Sequence, residues 1–217
     1  GNIWILTQNG VERLDPTTER FFHYDLSHLP GVGEGINHVI NLLADHRGTL
    51  WLVTSRRKIL ARKRAHEDNF RPFSLPRLQG FPTTDSLNVV NIFEDSDKYL
   101  WIFSTIGIFK LTPDRKELTN IGPYPEVIDN LTEFIFNFPI LEDQDKNLWF
   151  GQREFLFEYN RLGDTIRKHL LINSSGNEVG EFNDLVLAPD GYLWIGGMDS
   201  GLSQFHPKKG LLHLFSK

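Results

Sequence analysis

Five tryptophans stand almost evenly along this chain: Trp4, Trp51, Trp101, Trp149 and Trp194, separated by 47, 50, 48 and 45 residues. A repeat of that length is one supersecondary unit, too small to bury its own apolar faces, so its copies must stack on one another. The surroundings of each tryptophan agree. The residue before it is Ile3, Leu50, Leu100, Leu148 or Leu193, and the residue after it is Ile5, Leu52, Ile102, Phe150 or Ile195. Nine and eight positions upstream of the last four stand the apolar pairs Leu42-Leu43, Ile92-Phe93, Ile140-Leu141 and Leu185-Val186.

Between each apolar pair and its tryptophan lies a turn: Asp45-His46-Arg47-Gly48, Asp95-Ser96-Asp97-Lys98, Asp143-Gln144-Asp145-Lys146 and Pro189-Asp190-Gly191. Aspartate folds back onto backbone N–H groups and glycine accepts positive φ, so each unit reads strand, tight turn, strand. The tryptophan strand is apolar at consecutive positions, as in Leu50-Trp51-Leu52-Val53, which predicts burial on both faces. A second hairpin follows. Its first strand carries Val11-Leu14, Ile59-Leu60, Ile108-Phe109-Leu111, Phe155-Leu156-Phe157 and Leu202-Phe205. Its second carries Phe21-Phe22-Tyr24, Phe70-Phe73, Leu118-Ile121, Ile166-Leu170 and Leu211-Phe215. Pro72 fits only if that last strand is an outer edge, where a missing N–H costs no ladder bond.

Four short strands in roughly 40 to 50 residues make the blade of a β-propeller. The chain is therefore expected to be all-β, a single propeller domain over 1–217. Its blades are expected at about 1–30, 31–80, 81–125, 126–175 and 176–217. The first unit lacks its first strand. With Gly1 in place of Met and an apolar run closing the chain, both ends are expected to be cut, and the five blades are read as an arc of a larger ring. A parallel β-helix needs shorter coils, and a sandwich gives no reason for so even a tryptophan spacing.

Composition excludes several classes. Hydrophobic residues make up 40% and charged residues 24%, ordinary for a globular domain, and no stretch approaches a membrane span of about 20 apolar residues. A formal charge of −5 argues against nucleic acid as a partner. Without cysteine there is neither a disulfide nor a thiolate metal site.

The run Asp190-Gly191-Tyr192-Leu193-Trp194-Ile195-Gly196 through Gly201-Leu202 resembles the two-component regulator propeller repeat. So do Asn2-Ile3-Trp4-Ile5 through Gly10-Val11 with Asp15-Pro16, and Trp101 through Gly107-Ile108 to Thr112-Pro113-Asp114. Two copies depart from the pattern, with Arg57-Lys58-Ile59-Leu60 and Glu154-Phe155-Leu156 at the Gly-Leu position. The resemblance implies the periplasmic sensor part of a hybrid two-component histidine kinase of the Bacteroides type. It further implies a small-molecule or oligosaccharide ligand, a neighbouring propeller or Ig-like domain in the parent chain, and a homodimer formed through the parent.

Several residues invite a chemical reading. The five tryptophans offer faces for sugar stacking, but their apolar neighbours make them core residues that mark the register of the blades. From Asp143, the residues Asp145, Asn147 and Glu154 fall at positions 3, 5 and 12 of a calcium loop. Leu148 stands where glycine is required, so these are read as turn residues and no metal or cofactor is expected. The basic run Arg56-Arg57-Lys58 with Arg62-Lys63-Arg64 would suit an anionic sugar or a phosphate, although a solvated hairpin is the commoner use of such a run. The histidines show no metal-binding spacing.

In a propeller the turns after the tryptophan strands share one face, and binding residues gather in loops on a rigid scaffold. Ligand contacts are therefore sought at Gln8, Asn9, Arg56, Arg57, Gln152, Arg153, Glu154, Asp199 and Ser200, with Thr105-Ile106 at the third of the five turns. The favoured function is non-enzymatic sensing. One alternative is an enzyme resembling the streptogramin lyases, whose blades carry a similar Leu-Trp-Phe signature. Another is an interaction scaffold of the WD-repeat kind, whose Trp-Asp dipeptide is absent from all five units.

Overall fold

A computed structural model of the chain describes residues 2–7, 10–29, 39–54, 60–78, 87, 89–104, 106–122, 139–152, 155–172, 182–197 and 201–215. Among these residues there are nineteen strands and no helix. The first sheet has three strands, β1 (Ile3–Thr7), β2 (Gly10–Asp15) and β3 (Arg20–Tyr24). The second has four: β4 (Val39–Ala44), β5 (Leu50–Thr54), β6 (Leu60–Lys63) and β7 (Arg71–Pro72). The third holds β8 (Val89–Glu94), β9 (Leu100–Ser104), β10 (Gly107–Leu111) and β11 (Leu118–Gly122). The fourth holds β12 (Ile140–Glu142), β13 (Leu148–Gln152), β14 (Phe155–Asn160) and β15 (Thr165–Leu170). The fifth holds β16 (Phe182–Leu187), β17 (Leu193–Gly197), β18 (Gly201–His206) and β19 (Gly210–Phe215).

Every sheet is an antiparallel meander in chain order, and the expected strand pairs all appear. Pro72 lies on the outermost strand of its sheet, opposite Ala61, where its lack of an N–H does no harm. That strand is shorter than the sequence predicts. Phe70 precedes it and is buried instead between the first two sheets.

The chain divides into two compact units, one formed by the described residues up to 122 and the other by those from 139 on. In the first unit, the alternation of side chains along β5 explains its continuous apolar run. Leu50 and Leu52 pack toward the first sheet with Val11, Leu26 and Phe70. Trp51 and Val53 pack toward the third sheet with Ile92, Ile102 and Phe109. Both faces of the strand are thus buried, as the sequence predicts. Each fully buried side chain of this size contributes roughly 1.5–3 kcal/mol. The sheets are also joined by polar groups, since Asn41 Nδ2 donates to Asn91 Oδ1 across the gap.

In the second unit the same arrangement recurs between the fourth and fifth sheets, where Trp149, Leu156, Leu185, Ile195 and Phe205 form one cluster. The tryptophans are not equally buried. Trp51, Trp101 and Trp149 are at most 1% exposed. Trp4 and Trp194 are half-buried, Trp194 stacking on Phe215 with ring centroids 5.7 Å apart.

Candidate functional site

Eight of the residues singled out as ligand contacts, Gln8, Asn9, Arg56, Arg57, Arg153, Glu154, Asp199 and Ser200, lie outside the described residues, as does Thr105. Gln152 is the last residue of β13, paired with Phe155. Ile106 is 47% exposed at its turn. The geometry of a site comes instead from the opposite end of the second sheet, where the turn from β4 to β5 meets the chain leaving β6.

That turn is held by Asp45. Its Oδ1 accepts the amides of Arg47 and Thr49, both at 2.9 Å, and its Oδ2 accepts the indole Nε1–H of Trp51 at 2.8 Å. Asp95 does the same for the Tyr99 amide and, at 2.7 Å, the Trp101 indole. Asp143 does it for the amides of Asp145 and Asn147 and, at 2.8 Å, the Trp149 indole. An aspartate six residues before a tryptophan therefore caps the turn with one oxygen and satisfies the buried indole with the other. Both oxygens of Asp143 are engaged in this way, one by the turn amides and one by the indole. Among the described residues no three His, Asp or Glu side chains gather as metal ligands. Ala188 holds the corresponding place before Trp194, whose turn keeps the same backbone bonds without the carboxylate.

Burial would raise the affinity of Asp45 for its proton. The Trp51 indole, the Thr49 amide, the Arg115 guanidinium and the Arg47 amide outweigh it and hold the carboxyl below its ordinary range. Arg115 reaches this carboxylate from the turn between β10 and β11, its Nη2 lying 3.1 Å from Asp45 Oδ2 and 2.6 Å from Glu94 Oε1. Its Nη1 donates to the Lys98 carbonyl at 3.0 Å, and the guanidinium lies over the Trp51 ring, 5.8 Å from the centroid. Glu94 in turn accepts the His46 amide at 2.7 Å, and His46 Nδ1 lies 2.8 Å from its other oxygen. Four charged or titratable side chains thus tie the second sheet to the third, with the side chains of Asp45, Glu94 and Arg115 at most 9% exposed. In the second unit, Arg161 Nη2 meets Glu142 Oε1 at 3.1 Å within the fourth sheet, as Arg115 meets Glu94 within the third.

Above this frame opens a cleft of about 300 Å³. Trp51 and Phe73 form its apolar part, their rings edge to face at 4.8 Å. Arg47, Arg62, Arg64 and His66 line it from the second sheet, with Asp114 and Arg115 from the third. Arg62 stands opposite Trp51 in the ladder, and its guanidinium lies 5.6 Å from the Phe73 ring. Its nearest carboxylate is Glu67 at 3.8 Å, and its Nη1 is buried without a hydrogen-bond acceptor. Burial, followed by the charge of Arg64, lowers the proton affinity of Arg62, with Glu67 only partly opposing them.

The basic run is legible in the sequence; its destination is not. Alternation along β6 sends Arg62 toward Trp51 and turns Lys63 to the other face, where it is buried with Nζ 5.4 Å from the Tyr24 ring. Arg115 and Glu94 are 21 residues apart and carry no local signal of their pairing. The aspartate six residues before tryptophan was visible as a turn former. The bond from the indole to its second oxygen has no such local signal.

No family model matches the chain, and no curated protein matches it in sequence. Solved structures do match in fold. Virginiamycin B lyase from Staphylococcus aureus is similar over 98% of this chain and 65% of its own, with a TM-score of 0.70 at 15% identity. The extracellular domain of the putative hybrid two-component system BT4673 from B. thetaiotaomicron is similar over 100% of this chain and 26% of its own, with a TM-score of 0.68 at 20% identity. PorZ of Porphyromonas gingivalis, a component of the type-IX secretion system, matches with a TM-score of 0.61 at 14% identity. This chain thus spans about a quarter of the BT4673 domain and under two thirds of the lyase. At these identities the likeness is one of fold: all-β, in antiparallel meander sheets of the β-propeller kind. No helix among the described residues is long and apolar enough to cross a membrane.

Proposed function

We propose that this chain is a ligand-binding segment of an extracytoplasmic sensor, a non-enzymatic part of a two-component signalling protein. The observation that carries the reading is the cleft over Trp51, whose floor is locked by the buried Asp45–Arg115–Glu94 network. A preformed concavity on a rigid frame suits recognition, because little ordering remains to be done when the ligand arrives. The likeness of this chain to about a quarter of the extracellular domain of a two-component system supports the same reading. In it, the sheets of each unit are propeller blades, and the periplasm is the compartment. The ligand is a small molecule or oligosaccharide. A neighbouring propeller or Ig-like domain and a second copy of the parent are the protein partners.

The likeness to virginiamycin B lyase favours a second reading, in which the chain is part of an enzyme. Two measurements separate them. A ligand that binds only the folded state must raise stability, so one member of an oligosaccharide panel is expected to raise the melting temperature saturably. Incubation with virginiamycin B is expected to leave it intact. Turnover of virginiamycin B, or a flat panel with no ligand at any concentration, would overturn the sensor reading.

A further inference from the structure

We infer that the cleft over Trp51 is an oxyanion site, taking a phosphate, sulfate or carboxylate group on a small ligand through Arg47, Arg62 and Arg64. The inference names the ligand class of the site just described and rests on that reading. Three observations carry it.

The first is a reversal of charge within the repeat. Four positions before the tryptophan, the turns of the third, fourth and fifth sheets carry Asp97, Asp145 and Asp190, whereas the second sheet carries Arg47. A solvated turn in this repeat is acidic by habit, and the one beside the cleft is basic. The second is imbalance. The lining has four arginines against two aspartates; Glu94 answers Arg115 at 2.6 Å and Glu67 stands 3.8 Å from Arg62, which leaves Arg47 and Arg64 as the cations not answered at that range. Of its carboxylates, Asp45 is already engaged by Arg115 and Trp51, and Asp114 by the Thr112 hydroxyl at 2.7 Å. Among the described residues no carboxylate lies within ion-pair distance of Arg47 or Arg64.

The third is unused hydrogen-bonding capacity. Arg62 is 3.8 Å from Glu67, too long for a hydrogen bond, and carries a buried donor with no acceptor. A guanidinium presents five donors in a plane and matches the oxygens of a tetrahedral or planar anion two at a time. Phe73 and the edge of Trp51 beside these arginines would receive a short apolar or ring portion of the ligand. A volume of about 300 Å³ lies at the low end for small-molecule sites, which limits the occupant to one compact group.

The test is titration calorimetry of the whole chain with inorganic phosphate, and separately with sulfate and with glucuronate, at ionic strength held constant with chloride. Saturable binding is expected at one site. Arg47→Gln and Arg64→Gln each weaken it about tenfold, the loss of one charge-assisted hydrogen bond. Both side chains are exposed and make no close ion pair with a described residue, so both variants should fold. Arg167→Gln, on β15 in the other unit, is expected to leave binding unchanged. Heats indistinguishable from those of chloride for all three anions overturn the inference, as does saturable binding that neither Arg47→Gln nor Arg64→Gln weakens. Binding of a neutral oligosaccharide that survives both substitutions would sink the oxyanion assignment while leaving the sensor reading intact.

Discussion

Asp45 and Trp51 are joined by a 2.8 Å hydrogen bond from the indole N–H to a carboxylate oxygen, and both residues are almost wholly buried. The bond links residues six apart in sequence, so the turn and the core residue that follows it hold each other in place. Arg115 binds the same oxygen from the next sheet, which makes one carboxylate the meeting point of a turn, a core indole and a neighbouring sheet.

Removing that carboxylate leaves the indole N–H, two amides and a buried guanidinium with one partner fewer. Losing one member of a buried ionic network typically costs about 3–5 kcal/mol. Asp45→Ala is expected to fall in that range by chemical denaturation, with Trp51 emission shifted toward that of a wetter indole. A cost under about 1 kcal/mol would mean that the network contributes little.

Asp45 also makes stability depend on pH. Its folded pKa is depressed below the ordinary 3.8. Its contribution is therefore complete above the unfolded value and is lost as pH falls through the folded one. Parent stability is expected to decline from about pH 4 downward more steeply than that of Asp45→Asn, which has no proton to take up there. Parallel curves for the two proteins would refute this assignment.

Lys98 sits at φ 72, in the left-handed region, at the turn position that Gly48 and Gly191 occupy in the second and fifth sheets. A side chain there costs roughly 1–2 kcal/mol, and glycine returns part of that as extra freedom in the unfolded chain. Lys98→Gly is expected to stabilise the chain by about 0.5–1 kcal/mol, read as a rise in the denaturation midpoint at unchanged slope.

Gly107 opens β10 at φ 153, and a Cβ there would lie 2.9 Å from the carbonyl oxygen of Gly122. Gly122 itself, at φ 140, has open space where its Cβ would stand. Gly107→Ala therefore meets both backbone strain and a clash with main chain, whereas Gly122→Ala meets strain alone. The first is expected to cost about 2 kcal/mol or more and clearly exceed the second in equilibrium unfolding. Equal losses would show that the close approach at Gly107 is relieved by movement.

Much of this architecture is legible in the chain itself. Tryptophans at near-even spacing, apolar runs on both sides of Asp-containing turns, and Pro72 at an edge position follow from local chemistry, and local chemistry is what a sequence displays. It therefore determined the repeat, the order of strands in each sheet, and the burial of β5 on both faces. Arg115 meeting Asp45, a separation of 70 residues, was decided only when the third sheet packed beside the second. The cleft was decided there too, because Asp114 and Arg115 of the third sheet close it against Arg47, Arg62 and Arg64 of the second. The five tryptophans mark this boundary. Their spacing writes the fold, while the function they support depends on side chains brought over Trp51 from elsewhere.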